Sequence, residues 1–312
     1  MTETVPRAIP LAVVGTVALD DVATPAGEAR GVLGGSGTYF SVASSLFTRV
    51  GLVGVVGEDF PPRYRASLSA RDIDLTDLEQ ARGRTFHWAG SYDGGLDAAK
   101  TLATDLNVLE TFSPRLSPAH RAAPYVFLAN IHPAIQLDVL SQLEAPRLVV
   151  ADTMNLWIDT QREGLREVMR RVDGLLVNDA EARSLSGERN LIAAGRRLLE
   201  AGPSFVIVKK GEHGAFLFGR ERSFALPSYP LDVVKDPTGA GDSFAGGLMG
   251  ALAASAGDAG GAPTAAEVAH AMVYATVAAS FAVSDFSVDG LARATRKDVE
   301  ARAEDLRRFV AF

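Results

Sequence analysis

Short, unbroken apolar runs recur along the chain, separated by longer stretches in which apolar residues return every three or four positions. The runs are PLAVVGT (10–16), RVGLVGVVG (49–57), YVFLANI (125–131), RLVVADT (147–153), GLLVND (174–179) and SFVIVKKG (204–211). A strand apolar at nearly every position is covered on both faces, as parallel strands inside a layered sheet are. The segments between them, GTYFSVASSLF, AIQLDVLSQL, REGLREVMRRV and NLIAAGRRLLEAG, carry helical spacing. The alternation predicts an α/β fold, a doubly wound and mostly parallel sheet with helices on both faces.

One region departs from this rhythm. TFHWAGSYDG (85–94) and TLATDLNVLE (101–110) alternate with a period of two. Phe86 and Trp88 fall on one face of the first; Leu102, Leu106 and Val108 share a face of the second. This predicts antiparallel strands with one covered face, outside the parallel sheet. They form either a small β-sheet lid or a plain edge hairpin. The Ala/Gly-rich stretch AASAGDAGGAPTAAEV (253–268) reads as a surface connection between two helices. With no internal repeat and no clean break, we expect one domain over residues 1–312, its lid drawn from about 16–34 and 84–112.

Composition narrows the function classes. At 312 residues, 47% hydrophobic and 22% charged, the chain can bury a substantial core. A formal net charge of −7 speaks against a general nucleic-acid binder, which needs a basic face, but leaves room for a local basic pocket. The absence of cysteine removes disulfides, thiolate metal sites and cysteine nucleophiles. MTETVPRAIPLAVVG lacks the basic start and long apolar run of a signal peptide, and no stretch approaches ~20 uninterrupted apolar residues. The expectation is a cytoplasmic protein without a membrane span.

Candidate chemistry concentrates in DPTGAGDSFAGGLMG, Asp236 to Gly250, which runs from a turn into an apolar, small-residue helix. An N-cap role accounts for one aspartate, Asp236. It leaves Asp242 and the run Gly239-Ala240-Gly241. Amides at a helix start point outward unpaired, and the helix dipole adds partial positive charge. Without bulky side chains at 239–241, a phosphoryl group can approach those amides, which would hold its developing oxyanion. Asp242 then sits beside the anion site and can accept the proton of an attacking hydroxyl. GLVGVVG lacks the Gly-x-Gly-x-x-Gly spacing of a dinucleotide fingerprint, which removes a dehydrogenase reading. The five histidines show no metal-ligand spacing. His132 and Asn130, in LANIHP, end a strand on the expected ligand side and are candidates for substrate contact.

DPTGAGDSFAGGLMG resembles the C-terminal signature of the ribokinase-like sugar and nucleoside kinases, the phosphofructokinase B type. GGSGTYFSVASSLF (34–47) and VGLVGVVGEDF (50–60) resemble that family's first helix and its second strand with a Gly-x-x-Gly-x-Asp turn. NDAEARSLSG (178–187) resembles its Asn-x-x-Glu motif. These elements stand in family order across nearly the whole chain. The resemblance implies an ATP-dependent kinase with Mg²⁺, in which Asp242 is the base and Gly239, Ala240 and Gly241 hold the transferring phosphate. It implies that Glu181 and Asn178 order the hydrated Mg²⁺, although Glu181 would also suit a solvated helix face. Asp20, five residues after Gly15, would hold a substrate hydroxyl, or merely shape a turn. Gly34 and Gly35 would hinge the lid and approach the substrate, and Lys209, Gly211 and Thr238 would lie by the nucleotide. It also implies a homodimer formed through the lid.

Departures from the family pattern bear on the acceptor. Five residues beyond Gly34, where sugar kinases of this type place Asn, stands Tyr39, and the ribokinase-type Lys after Gly-Gly is Ser36. Tyr39, with Phe40 beside it, suits stacking on a less polar group, or simply burial of a helix face. AVSDFSV (282–288) lacks the Gly-Ala often found where relatives bind a monovalent cation, so the resemblance leaves potassium activation open. The leading expectation is transfer of the γ-phosphate of ATP to a hydroxymethyl group of a small sugar. The alternatives are a nucleoside acceptor (adenosine- or cytidine-type), favoured by Tyr39 and Trp88, and a non-catalytic sugar- or nucleotide-binding protein, against which the retained Asp242 speaks.

Overall fold

The computed structural model describes residues 7–92, 99–255 and 261–311. The chain opens with β1 (Leu11–Val14), β2 (Ala18–Thr24), β3 (Gly27–Gly34), α1 (Ser36–Ser44), β4 (Val50–Val56) and α2 (Pro62–Ser69). Short strands β5 (Ile73–Asp74) and β6 (Leu78–Gln80) precede β7 (Phe86–Ser91) and β8 (Lys100–Asp105). Then come α3 (Pro118–Arg121), β9 (Tyr125–Leu128), α4 (Pro133–Gln142), β10 (Leu148–Asp152), α5 (Asn155–Thr160) and α6 (Arg162–Arg171). They are followed by β11 (Gly174–Asn178), α7 (Asp179–Ser186), α8 (Leu191–Glu200), β12 (Phe205–Lys209), β13 (Ala215–Gly219) and β14 (Ser223–Leu226). The last four helices are α9 (Ala240–Ser255), α10 (Ala265–Ala282), α11 (Asp289–Arg293) and α12 (Arg296–Val310).

Each of the six apolar runs contains a strand of the large sheet, whose order is β14-β13-β12-β11-β10-β9-β1-β4-β5, with β6 also paired to β4. From β12 to β5 every pairing is parallel. The β13–β14 hairpin, which the apolar pattern did not reveal, adds an antiparallel edge. Alternate side chains explain the unbroken hydrophobicity. Leu11, Val13 and Phe127 pack with α1, α9 and α10 on one face, and Phe40 stacks on Phe127 with ring centroids 4.5 Å apart. Ala12, Val14, Val126 and Leu128 pack with Val139 of α4 and Val168 of α6 on the other. α10 is long and apolar enough to cross a membrane, but it packs against α9 and α12 as part of the core. The strand order reverses at β1, between β4 and β9. In open α/β sheets that is where a crevice opens beyond the carboxyl ends of the strands.

The period-two region forms a separate four-stranded sheet, β3-β2-β7-β8, with β2 and β7 parallel and the outer pairs antiparallel. One expectation is corrected here. The second strand does not reach residue 110. It ends at Asp105, Asn107 takes a left-handed conformation (φ 51°), and residues Asn107–Thr111 form a 3₁₀ turn. Leu106 and Val108 therefore share no strand face with Leu102; Val108 is buried in the main core while Leu102 is 60% exposed. Residues 93 and 94 of the first stretch, and 256–260 of the Ala/Gly-rich connection, lie outside the described residues. The small sheet is fastened to loops of the main body. Thr24 Oγ1 donates to the Lys235 carbonyl at 2.7 Å, Ser287 Oγ donates to the Leu33 carbonyl at 2.5 Å, and the Tyr92 and Thr238 hydroxyls are 3.1 Å apart.

Candidate active site

The loop before α9 is shaped as its first aspartate suggests: Asp236 Oδ1 accepts from the Thr238 amide at 2.9 Å. Gly239 follows with φ 73°, a left-handed conformation that only glycine adopts cheaply, and a Cβ there would lie 2.3 Å from the Tyr39 ring. The Ala240 amide closes a turn onto the Pro237 carbonyl at 3.2 Å, so it is already engaged. Gly241 lies in the first helical turn, where the amide has no partner within the helix. Gly239 and Gly241 therefore offer the more available amide donors of the three.

Beside this turn, charge gathers from strands far apart in sequence. Lys209, at the end of β12, pairs with Asp152, at the end of β10, at 2.8 Å. Lys209 Nζ also lies 3.0 Å from where a Cβ on Gly241 would be. Burial alone would lower the Lys209 pKa, but Asp152, Glu181 and Asp242 more than offset it and hold the ammonium above its ordinary value. Asp242 is pushed up to about 6 by burial and then by the Asp152 charge, against the opposing pull of Lys209. A carboxylate of that pKa is largely ionised at neutral pH yet basic enough to receive a proton.

Asn178 and Glu181 lie at the start of α7, where their first task is local. They form a capping box, in which the Glu181 amide donates to Asn178 Oδ1 at 2.8 Å and the Asn178 amide to Glu181 Oε2 at 2.7 Å. One Glu181 oxygen remains outside this box. Burial raises the Glu181 pKa, the Asp152 charge adds to that, and Lys209 opposes it. Among the described residues, three acidic groups thus face a single ammonium. That surplus of hard oxygen donors fits a hydrated Mg²⁺, which keeps most of its waters and takes few protein ligands. Glu181 would hold it through the free oxygen, with Asn178 orienting Glu181.

Toward the small sheet, the end of β1 is clamped to the start of α1. The Thr16 and Ser36 hydroxyls are 3.1 Å apart, the Ser36 amide donates to Thr16 Oγ1 at 2.9 Å, and Ser36 Oγ donates to the Asn130 carbonyl at 3.2 Å. Asp20, on β2, is 4% exposed and turns its carboxylate onto Gly34, where a Cβ would lie 1.8 Å from Oδ2. Burial and the nearby Asp236 push its pKa to about 8, against the hydrogen bond from the Gly35 amide, and Oδ1 has no partner. Asp236 Oδ2, on a residue 1% exposed, is likewise unpartnered. These are acids awaiting a donor.

The remaining candidates divide. Tyr39 is 2% exposed and lies beneath Gly239 as a floor for that turn, with burial and then the nearby carboxylates raising its pKa far above the ordinary value. Phe40 is wholly core. Asn130 accepts from Trp157 Nε1 at 2.9 Å, and its Nδ2 points at the Met154 sulfur at 3.1 Å. His132 caps α4 by accepting from the Ala134 amide, its ring edge-on to Trp157. Thr238 faces Tyr92 of the small sheet, and Gly211 stands exposed in a 3₁₀ turn after β12. Sequence reasoning missed Asp152, Tyr92 and Trp157. Asp152 alone had a signal, an acidic residue closing the apolar run RLVVADT at the ligand end of a strand.

A doubly wound sheet, a glycine turn at a helix start and a buried aspartate of raised pKa beside it suit phosphoryl transfer. The chain belongs to the pfkB family of carbohydrate kinases, whose family model matches residues 12–292. It is 32% identical to the cytidine kinase of Thermococcus kodakarensis over 247 residues, 77% of this chain and 87% of that protein. Its fold matches the Methanocaldococcus jannaschii nucleoside kinase with a TM-score of 0.75 at 19% identity, covering 96% of this chain and 99% of the other. It also matches an E. coli ribokinase II structure in complex with ATP and Mg²⁺, with a TM-score of 0.76 at 18% identity, covering 95% and 99%. The protein is a carbohydrate or nucleoside kinase, a phosphotransferase with an alcohol group as acceptor.

Proposed function

We propose that this kinase transfers the γ-phosphoryl group of ATP to a hydroxymethyl group on a small sugar ring, presented as the ribosyl part of a nucleoside. The observation that carries the phosphotransfer is Asp242, poised near pH 6 in the first turn of α9 beside the Gly239–Gly241 amides and Lys209. Asp242 takes the proton of the acceptor hydroxyl as its oxygen bonds to the γ-phosphorus. The bond from that phosphorus to the bridging oxygen breaks, and ADP leaves. The free amides of the turn and the Lys209 ammonium hold the negative charge in transit. Asp20 accepts hydrogen bonds from ring hydroxyls, which supplies the donor its buried oxygen lacks. Mg²⁺ held by Glu181 would offset charge on the nucleotide phosphates.

The nucleoside reading draws on the similarity to a cytidine kinase over 77% of the chain. A free sugar is the second reading, favoured by the carbohydrate kinases that the family model describes. The purified protein is tested with ATP and Mg²⁺ against cytidine, uridine, adenosine, ribose and fructose, with ADP release followed and the product identified by mass. Turnover of a nucleoside is expected. Turnover of free sugars only would replace the first reading by the second, and ADP release independent of every acceptor would overturn both.

A further inference from the structure

The parallel register of β2 and β7 sets Asp20 directly opposite Trp88. Residues in register on neighbouring strands share a face and stand about 4.8 Å apart. Asp20 directs its carboxylate to Gly34 and feels the charges of Asp236 and Asp242. The face carrying Asp20 therefore looks toward the reacting end of the site, and Trp88 lies on it. Val32 pairs with Asp20 and Thr104 with Trp88, extending the same face to both sides.

The indole has a built seat. Gly90, two positions along β7 and so on the same face, leaves the space the ring fills: a Cβ there would meet Cη2 at 2.2 Å and Cζ2 at 2.4 Å. Trp88 Nε1 donates to Thr101 Oγ1 at 3.3 Å across the bulged β7–β8 pair. The ring is thus laid along the sheet with one side covered by strand backbone, and the residue as a whole is only half-buried. An indole held this way offers a flat, low-entropy surface to whatever enters beside Asp20. Tyr39, the other aromatic candidate, is spent beneath Gly239.

We propose that Trp88 is the specificity-determining residue for the acceptor, stacking on the planar base of a nucleoside while Asp20 holds the attached sugar. This rests on the nucleoside reading above. A free sugar has no π-face to stack, so the indole favours nucleosides over sugars. Because every base has such a face, Trp88 discriminates base-bearing from base-free acceptors more than one base from another.

The test compares wild type, W88A, W88F and G90A, with cytidine and ribose as acceptors and light scattering for mass. In W88A the ratio of kcat/KM for cytidine to that for ribose should fall about 5- to 100-fold, the worth of one base–aromatic stack, through KM for cytidine. W88F should restore most of the ratio. G90A keeps the indole but places a methyl group where the ring lies, so it should reproduce the W88A effect with Trp88 intact. A wild type that turns over no nucleoside overturns this inference together with the reading it rests on. A wild type that turns over cytidine while W88A and G90A keep the ratio overturns the inference alone. So does a loss in W88A that is proportional for both acceptors or accompanied by a shift in mass, which would make Trp88 a general sheet or subunit contact.

Discussion

The same side chains behave oppositely at two places along the large sheet. Around β5, beside the beginning of β4, Asp74 pairs with Arg49 at 2.5 Å and accepts from the Thr76 amide at 3.0 Å. Asp77 pairs with the buried His120 at 2.9 Å and accepts from the Ser117 amide at 2.8 Å. Burial pulls both pKa values up, but these partners win and hold them below the ordinary carboxylate range. In the candidate site, Asp20 of β2 in the small sheet and Glu181, Asp236 and Asp242 beyond the carboxyl ends of the large sheet's strands are all raised, burial first among the causes. Burial is common to both sets; partners are not. One place spends its acids on holding the fold, and the other leaves Asp20 and Asp236 each with a buried, unpartnered oxygen. Structures tolerate such under-satisfied groups chiefly where function requires them.

The sharpest way to break this comparison is at the base. Asp242→Asn should keep the fold and lower kcat by roughly 10²–10⁴, the range for lost general-base assistance. Near-normal turnover in the folded variant would remove Asp242 from the chemistry. Next, Lys209→Met should lower kcat by about 10²–10³ if the ammonium holds charge in the transition state. An effect confined to melting temperature would make the Lys209–Asp152 pair structural.

At the other place the expected signs exchange. Asp74→Asn should cost about 1–3 kcal/mol of stability in denaturant unfolding, because Arg49 loses its charged partner, while kcat/KM stays at the wild-type value. Lost activity at unchanged stability would erase the distinction between the two sets. The smallest effect concerns Asp20 in the ligand-free protein. Its folded pKa is raised from 3.8 to about 8. The folded state therefore keeps a proton that the unfolded chain releases above pH 4. Its contribution to stability is fully present below that and is lost as pH rises through 8. Asp20→Asn should therefore raise the melting temperature at pH 8 and leave it nearly unchanged at pH 4. A rise of equal size at both values would point to a cause other than titration.

How far the sequence announced these arrangements depended on how local their causes are. Six strands of the parallel sheet were legible because cover on both faces leaves an apolar run, and the α9 turn because its whole geometry lies within Asp236–Asp242. The capping box at Asn178 and Glu181 is equally local, spanning three positions, and it occupies atoms that the motif had suggested for magnesium. Lys209 and Asp152 are 57 positions apart, joined only because β10 and β12 end side by side across β11. The strand expected to reach residue 110 stopped at Asp105 because Asn107 turned left-handed, which a period of two does not register. Tyr39 looked like a ligand contact because the sequence placed it near the Gly-Gly turn without showing which way α1 faces.

The small sheet is hitched to the segment that leads into the phosphate turn, by Thr24 on the Lys235 carbonyl and Tyr92 on Thr238. Any movement of that sheet would carry with it the run from Lys235 to Thr238, immediately upstream of Gly239. An acceptor that drew the sheet inward would then also set this turn. Under the proposed function the two substrates would become effectors of one another: whatever factor the first added to the affinity of the second, the second would return to the first.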